Sequence, residues 1–206
     1  MDILDQIGRA RREVVDGGAS KAVILTRTYD TSVEDLWDAC TNAERLPRWF
    51  DAVSGELREG GRYRLDASAT SGTIERCAAP NLLRITWEYG GDTSRVELTL
   101  SEEGGRAVLR LEHLVPDNEH WRTYGPSATG VGWDGSLLAL ALHLADDPRG
   151  TPAGMEEVNA TPDGTEFIRR TAAAWAEAHI ASGADPEAAR RVSEHTAAFY
   201  TGAEQG

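Results

Sequence analysis

The sequence predicts an α+β fold: a curved antiparallel sheet of about six or seven strands wrapped around one long helix, followed by a helical extension. Three observations predict it. Residues 130–145, GVGWDGSLLALALHLA, are the most apolar stretch, with Trp133, Leu137, Leu140, Ala141 and Leu144 on one helical face. Leu138, Leu142 and Ala145 add a flank, so this helix is apolar most of the way round and belongs in a core. Before it, short segments with alternating apolar residues follow one another between glycine turns, the pattern of an antiparallel meander with one wet face. After it, two segments open on Thr161-Pro162 and Asp185-Pro186, which are helix starts.

Taken in order, residues 2–15 read as a short helix, with Asp2 as cap, Ile3, Ile7, Ala10 and Val14 on one side, and Gly17-Gly18 as its end. Residues 21–30 turn to β-character, where Val23, Leu25 and Arg27 alternate with Ile24, Thr26 and Thr28. Thr31 and Ser32 precede a helix over 33–41 with Glu34 and Asp35 in its first turn, where negative charge suits the helix dipole. Its stripe is Val33, Leu36, Trp37 and Cys40. Asn42 starts a second short helix over 43–50, interrupted at Pro47.

Strands are then expected at 53–58, 62–67, 72–77, 82–89, 95–100 and 106–115, with hairpin turns at Glu59-Gly60-Gly61 and Gly90-Gly91-Asp92. Leu83, Ile85 and Trp87 share a face, as do Val96, Leu98 and Leu100, and Leu109, Leu111 and His113. Residues 117–129 read as a loop, 146–163 as a linker or surface excursion, and the last two segments as amphipathic helices with stripes Phe167, Thr171, Trp175, Ala178 and Ala189, Val192, Thr196, Phe199. Those stripes need a partner, either the main domain or a second subunit. Gly130 and Gly132 would let a neighbouring sheet approach the buried helix. The organisation is a helix over 1–18, a domain over 20–146 and an extension over 147–206.

The formal net charge of −13 argues against nucleic acid and anionic membrane surfaces, because binding there uses basic residues to neutralise phosphates. No stretch has transmembrane length, so no membrane insertion is expected, and the charged start is unlike a signal peptide. A cytoplasmic location is the expectation. The only lysine, Lys21, reflects compositional bias.

Motifs for catalysis are sparse. The five histidines, 113, 120, 143, 179 and 195, form no HExxH and no zinc-like pairing with cysteine. Asp117, Glu119 and His120 read as a solvated acidic loop more than a metal cluster. There is no GxSxG, and the glycine pairs lack any phosphate-cradling pattern. No cofactor, metal site or catalytic residue is therefore assigned. Cys40 and Cys77 read as small core residues. His113, inward by alternation, is either a base, a ligand anchor, or a strand-end histidine satisfied by backbone or water. Of Glu75 and Arg76 one faces in, or both lie at a rim.

The pieces VEDLWDACTNAERLPRWF (33–50), GELREGGRYRLD (55–66), GTIERCAAPNLLRITWEY (72–89) and VGWDGSLLALALHL (131–144), in that order, resemble the START-like helix-grip superfamily (SRPBCC). More narrowly they are similar to bacterial domains resembling the C-terminal domain of the activator of Hsp90 ATPase. The resemblance implies a helix-grip fold with a pocket between sheet and helix, on a scaffold shared by lipid carriers, polyketide cyclases and co-chaperone domains. Fold alone does not fix function. The aromatics narrow it: Trp37 and Trp133 suit the core, Trp49 and Phe50 a pocket entrance, and Tyr63, Trp87 and His113 a pocket wall. The expected site is a cavity bordered by Trp49, Phe50, Tyr63, Trp87, His113, Trp133 and Leu137, with His113 and Tyr63 as polar anchors. The expected function is non-catalytic binding of a hydrophobic or aromatic small molecule. The alternatives are a protein-interaction or chaperone-linked module, with a protein partner or a homodimer, and a cyclase- or hydrolase-type enzyme built on His113.

Overall fold

The computed structural model describes residues 1–17 and 20–202. Eight strands form one antiparallel sheet in the order β1-β2-β8-β7-β6-β5-β4-β3. They are β1 (Ala10–Gly17), β2 (Ser20–Tyr29), β3 (Val53–Gly55), β4 (Arg62–Leu65), β5 (Ser71–Ala78), β6 (Leu82–Tyr89), β7 (Asp92–Glu103) and β8 (Arg106–Pro116). The helices are α1 (Val33–Thr41), α2 (Glu119–Leu144), α3 (Pro152–Asn159), α4 (Pro162–Ala181) and α5 (Pro186–Thr201). The run β3 to β8 is a meander, and β8 returns to pair with β2 from Tyr29↔Ala107 to Ser20↔Pro116. The inner face carries Val23, Leu25, Val96, Leu100, Leu109 and Leu111, all essentially inaccessible, and α2 lies over it with Leu137 and Leu140 pointing in. This is the expected helix-grip arrangement, with one strand more than expected.

The extra strand is β1, which corrects the helix expected over 2–15. Only a short 3-10 turn, Ile7–Arg9, precedes the strand. Ala10 and Val14 are four apart, an even number, so they fit a helical stripe and a strand face equally well. Between them Arg12 also points inward, to Asp134. A charged residue at the middle inward position hid the alternation. The end expected at Gly17-Gly18 lies partly outside the described residues.

Other elements follow their local chemistry. Ser32 caps α1 by accepting from the Asp35 N–H, with Val33, Leu36 and Cys40 buried beneath. The second helix expected over 43–50 is only the 3-10 turn Leu46–Arg48. The loop expected over 117–129 is helical, because the Asn118 side chain caps α2 by accepting from the Trp121 N–H at 3.0 Å. Gly125-Pro126 breaks this helix: Gly125 leaves helical φ/ψ, and two helical segments meet there at a kink. Gly125 adopts φ 61°, and a Cβ there would stand 2.8 Å from Val192 Cγ2, so glycine is required on both counts. The kink frees carbonyls of the preceding turn, and α5 meets one of them: the Thr196 hydroxyl donates to Tyr124 O at 2.8 Å, while beyond the kink the Tyr200 hydroxyl donates to Ala128 O at 2.9 Å.

The linker expected over 146–163 contains α3, capped by Thr151 and seated through Val158. The extension packs on the domain. Trp175 of α4, fully buried, lies against Gly130, where a Cβ would come 2.1 Å from the indole. The close neighbour of Gly130 is thus helix α4, not the expected sheet. The indole N–H of Trp175 donates to Asp134 at 2.8 Å, and the Arg12 guanidinium grips the same carboxylate at 2.6 and 2.9 Å. Burial pushes the Asp134 carboxyl above its ordinary value, against the opposing pull of the Arg12 guanidinium and the Trp175 N–H. One buried carboxylate therefore ties β1, α2 and α4 together. Among the described residues no helix is long and apolar enough to cross a membrane.

Candidate functional site

The sheet curves away from α2 between β4 and β8 and leaves a cavity of about 150 Å³. Its walls are aliphatic and aromatic: Leu46, Trp49, Tyr63, Ile85, Leu98 and Leu111 from the sheet and the α1–β3 segment, and Trp133, Leu137 and Leu140 from α2. No charged side chain lines it among the described residues. Beyond the Trp87 end of β6 opens a wider cleft of about 820 Å³, bordered by Asp51, Ser94, His113, His120, Trp121 and Tyr200. Phe50, Trp87, Trp133 and Ser136 line both spaces and form the partition between them.

The partition is an aromatic cluster. Phe50 and Trp133 stack with centroids 6.3 Å apart, and Trp87 meets Trp133 edge-on at 5.4 Å. These geometries are the favoured ones for ring quadrupoles. Behind them sits His113, 6 % exposed. The Trp133 indole N–H donates to His113 Nδ1 at 3.0 Å. Since Nδ1 accepts, the proton is on Nε2, which donates to Ser94 Oγ at 2.8 Å, and Ser94 in turn donates to Trp87 O at 3.2 Å. The chain of donors runs one way and closes on backbone. Burial pushes the His113 imidazole down to about 4, so it is neutral near pH 7. Protonation would also face an N–H toward the Trp133 N–H.

Each expected site residue borders one or both spaces. Trp49, Tyr63 and Leu137 line the inner cavity, His113 the outer cleft, and Phe50, Trp87 and Trp133 both. Two details differ from expectation. The Trp49 indole N–H is spent on Ala39 O at 2.9 Å, so Trp49 is an anchored wall more than an entrance. The Tyr63 hydroxyl donates to Thr86 O at 2.8 Å, which makes Tyr63 a wall residue and not a free anchor. Trp133, expected both to suit the core and to border the cavity, is partly buried and stands in the partition.

Cys40 is buried, and burial pushes its thiol up to about 12, as suits a core residue. Cys77 corrects the same expectation: it is exposed, at the far edge of the cavity near the exposed Leu57. Glu75 and Arg76 both face solvent, paired with Arg95 and Glu59, where a bulge interrupts the β5–β6 register. The His120 ring lies 5.0 Å from that of Tyr124, tilted by 46°.

Several bordering residues carried little sequence signal. Ser94 lies opposite Trp87 in the β6–β7 register, so alternation extended two residues back from Val96 places it inward. Asp51 is buried at the cleft. Burial opposes its charge, but the N–H groups of Ala67 and Ser68, at 2.9 and 3.0 Å, hold the carboxyl below its ordinary value. Tyr200 reaches the cleft from α5, and nothing local in the sequence foretells that.

Comparison with known proteins places this geometry. No curated protein matches the chain. Among solved structures, CalU16 from Micromonospora echinospora is 33% identical in its solution structure, with a TM-score of 0.70 over 84% of this chain and 97% of CalU16. The CalU16 crystal structure gives 32% identity and a TM-score of 0.63, covering 82% of this chain and 97% of that one. EF2215 from Enterococcus faecalis, described as a conserved protein of unknown function, shares the fold with a TM-score of 0.54 at 16% identity, over 97% of this chain and 95% of its own. An HSP90 activator from Plasmodium falciparum, PFC0360w, shares the fold at 21% identity with a TM-score of 0.51, over 63% of this chain and 97% of its own. The family model described as Activator of Hsp90 ATPase homolog 1-like protein matches residues 30–145, which is most of the sheet and all of α2. The chain belongs to that family, within the START-like helix-grip (SRPBCC) superfamily.

Proposed function

We propose that the protein is a non-catalytic binder of a largely apolar, aromatic small molecule held between the sheet and α2. The observation that carries this reading is the pairing of an uncharged cavity with a wide cleft across one aromatic partition. A cleft of this size suits a drug-sized ligand, and Trp and Tyr faces supply contact area at little entropic cost. Asp51, Asp92 and Glu156 border the cleft, and among the described residues no lysine or arginine does. The ligand is accordingly neutral or cationic and not an anion.

The enzyme reading is weaker. Both ring nitrogens of His113 are engaged, its basicity is low, and no carboxylate bonds to it. A general base needs a pKa nearer the working pH. The family description and the 58 % exposure of Phe199 support a second reading, a chaperone-linked contact surface on the extension. Pulldown with the intact chain tests that one, and no stable chaperone partner is the expected result if ligand binding is the main role.

Titration with the neutral fluorophore N-phenyl-1-naphthylamine tests the main reading. Saturable quenching of tryptophan emission is expected. Absence of saturable binding with this probe and with other neutral or cationic polycyclic compounds would end it.

A further inference from the structure

The two spaces differ in kind as well as size. The inner one measures about 150 Å³ and is lined by Leu, Ile, Val and aromatic side chains. An apolar cavity of about that volume has room for benzene. Its polar neighbours are already satisfied, since the Tyr63 hydroxyl and the Trp49 indole N–H bond to backbone carbonyls. An apolar group entering it displaces neither of these bonds. The outer space, at about 820 Å³, is too large for such a group and carries the hydrogen-bonding side chains. Phe50, Trp87 and Trp133 stand between them.

We propose that the inner cavity is a separate subsite for one small apolar ring, or an alkyl group of similar size, on a ligand whose larger part lies in the outer cleft. This rests on the reading of the whole cavity as a ligand site and narrows it to a two-part ligand. Leu137 from α2 and Ile85 from β6 face the inner space from opposite walls. Either can be enlarged to fill it without touching the outer cleft, since neither borders that cleft.

The test uses benzene as the probe of the inner space and N-phenyl-1-naphthylamine, whose naphthyl group fits only the outer cleft, as the probe of the whole site. Benzene binding to the full chain is read as a rise in Tm and by calorimetric titration. Saturable one-to-one binding is expected. In Leu137→Phe, and independently in Ile85→Phe, benzene affinity should fall at least tenfold, while N-phenyl-1-naphthylamine, losing the place of its phenyl ring but keeping the outer cleft, should bind more weakly and still saturably. Circular dichroism and cooperative unfolding identify the variant that keeps its fold, and either one suffices. Benzene binding retained in a folded filled variant overturns the subsite. So does failure of benzene and toluene to bind while N-phenyl-1-naphthylamine binds, an outcome that leaves the general binding function standing. Failure of both probes would sink both.

Discussion

The indole N–H of Trp133 on α2 donates to Nδ1 of His113 on β8 at 3.0 Å, joining the helix to the sheet across the mouth of the inner cavity. The bond exists only while His113 is neutral. Burial depresses its pKa from about 6.5 to about 4, so the unfolded chain takes up a proton in that window and the folded chain does not. Folding stability supplied by this residue is therefore full at pH 7 and falls as the pH drops toward 4.

From pH 7 to pH 5 the loss attributable to His113 is about 2 kcal/mol. Urea unfolding at the two pH values measures it, with His113→Gln as the comparison, since glutamine keeps hydrogen-bonding groups and does not titrate there. The variant should show a pH dependence smaller by about that amount. Equal slopes in the two proteins would show that His113 takes up its proton in the fold over the same pH range as in the unfolded chain.

Asp134 holds the extension to the domain. Asp134→Ala leaves the Arg12 guanidinium buried without its carboxylate and removes the acceptor of the Trp175 N–H. A loss of about 3–5 kcal/mol is expected in urea unfolding. Arg12→Ala should cost a similar amount, and the double variant much less than the sum, because the two act as one pair. Additive losses would contradict the network.

Two glycines of α2 should respond with opposite signs to the same substitution. Gly130→Ala places a methyl 2.1 Å from the Trp175 ring, and overpacking of this kind costs about 1–3 kcal/mol. At Gly135 a Cβ meets nothing within 4 Å, so Ala there gains from helix propensity, about 0.5–1 kcal/mol. Thermal unfolding of both variants decides it; a stabilising Gly130→Ala would mean that α4 does not lie where it is described.

Much of this molecule was legible in the sequence where one physical rule acted alone. Strands β6 to β8 and helices α4 and α5 were readable because alternation, stripes and Thr-Pro or Asp-Pro starts agreed. β1 was misread because Arg12 occupies an inward position, and a charge there makes sense only once Asp134, distant in sequence, is beside it. The helical turns before the kink of α2 are hidden because Gly125-Pro126 does break the helix, and the donor that meets the freed Tyr124 carbonyl comes from α5, distant in sequence. The walls of the site followed from face assignments on single strands. The anchoring bonds of Tyr63 and Trp49, the Ser94 link and the reach of Tyr200 depend on register and on packing between distant segments, which no local pattern carries.

The chain has six tryptophans, and their indole N–H signals in a nitrogen-15 correlation spectrum report directly on where a ligand sits. On titration with N-phenyl-1-naphthylamine, the signals of Trp87 and Trp133, which border both spaces, should shift saturably with a single dissociation constant. Trp175, buried against Gly130 and bonded to Asp134, should stay in place. Shifts confined to Trp37 and Trp175, or none at all at saturating probe, would contradict a ligand site between the sheet and α2.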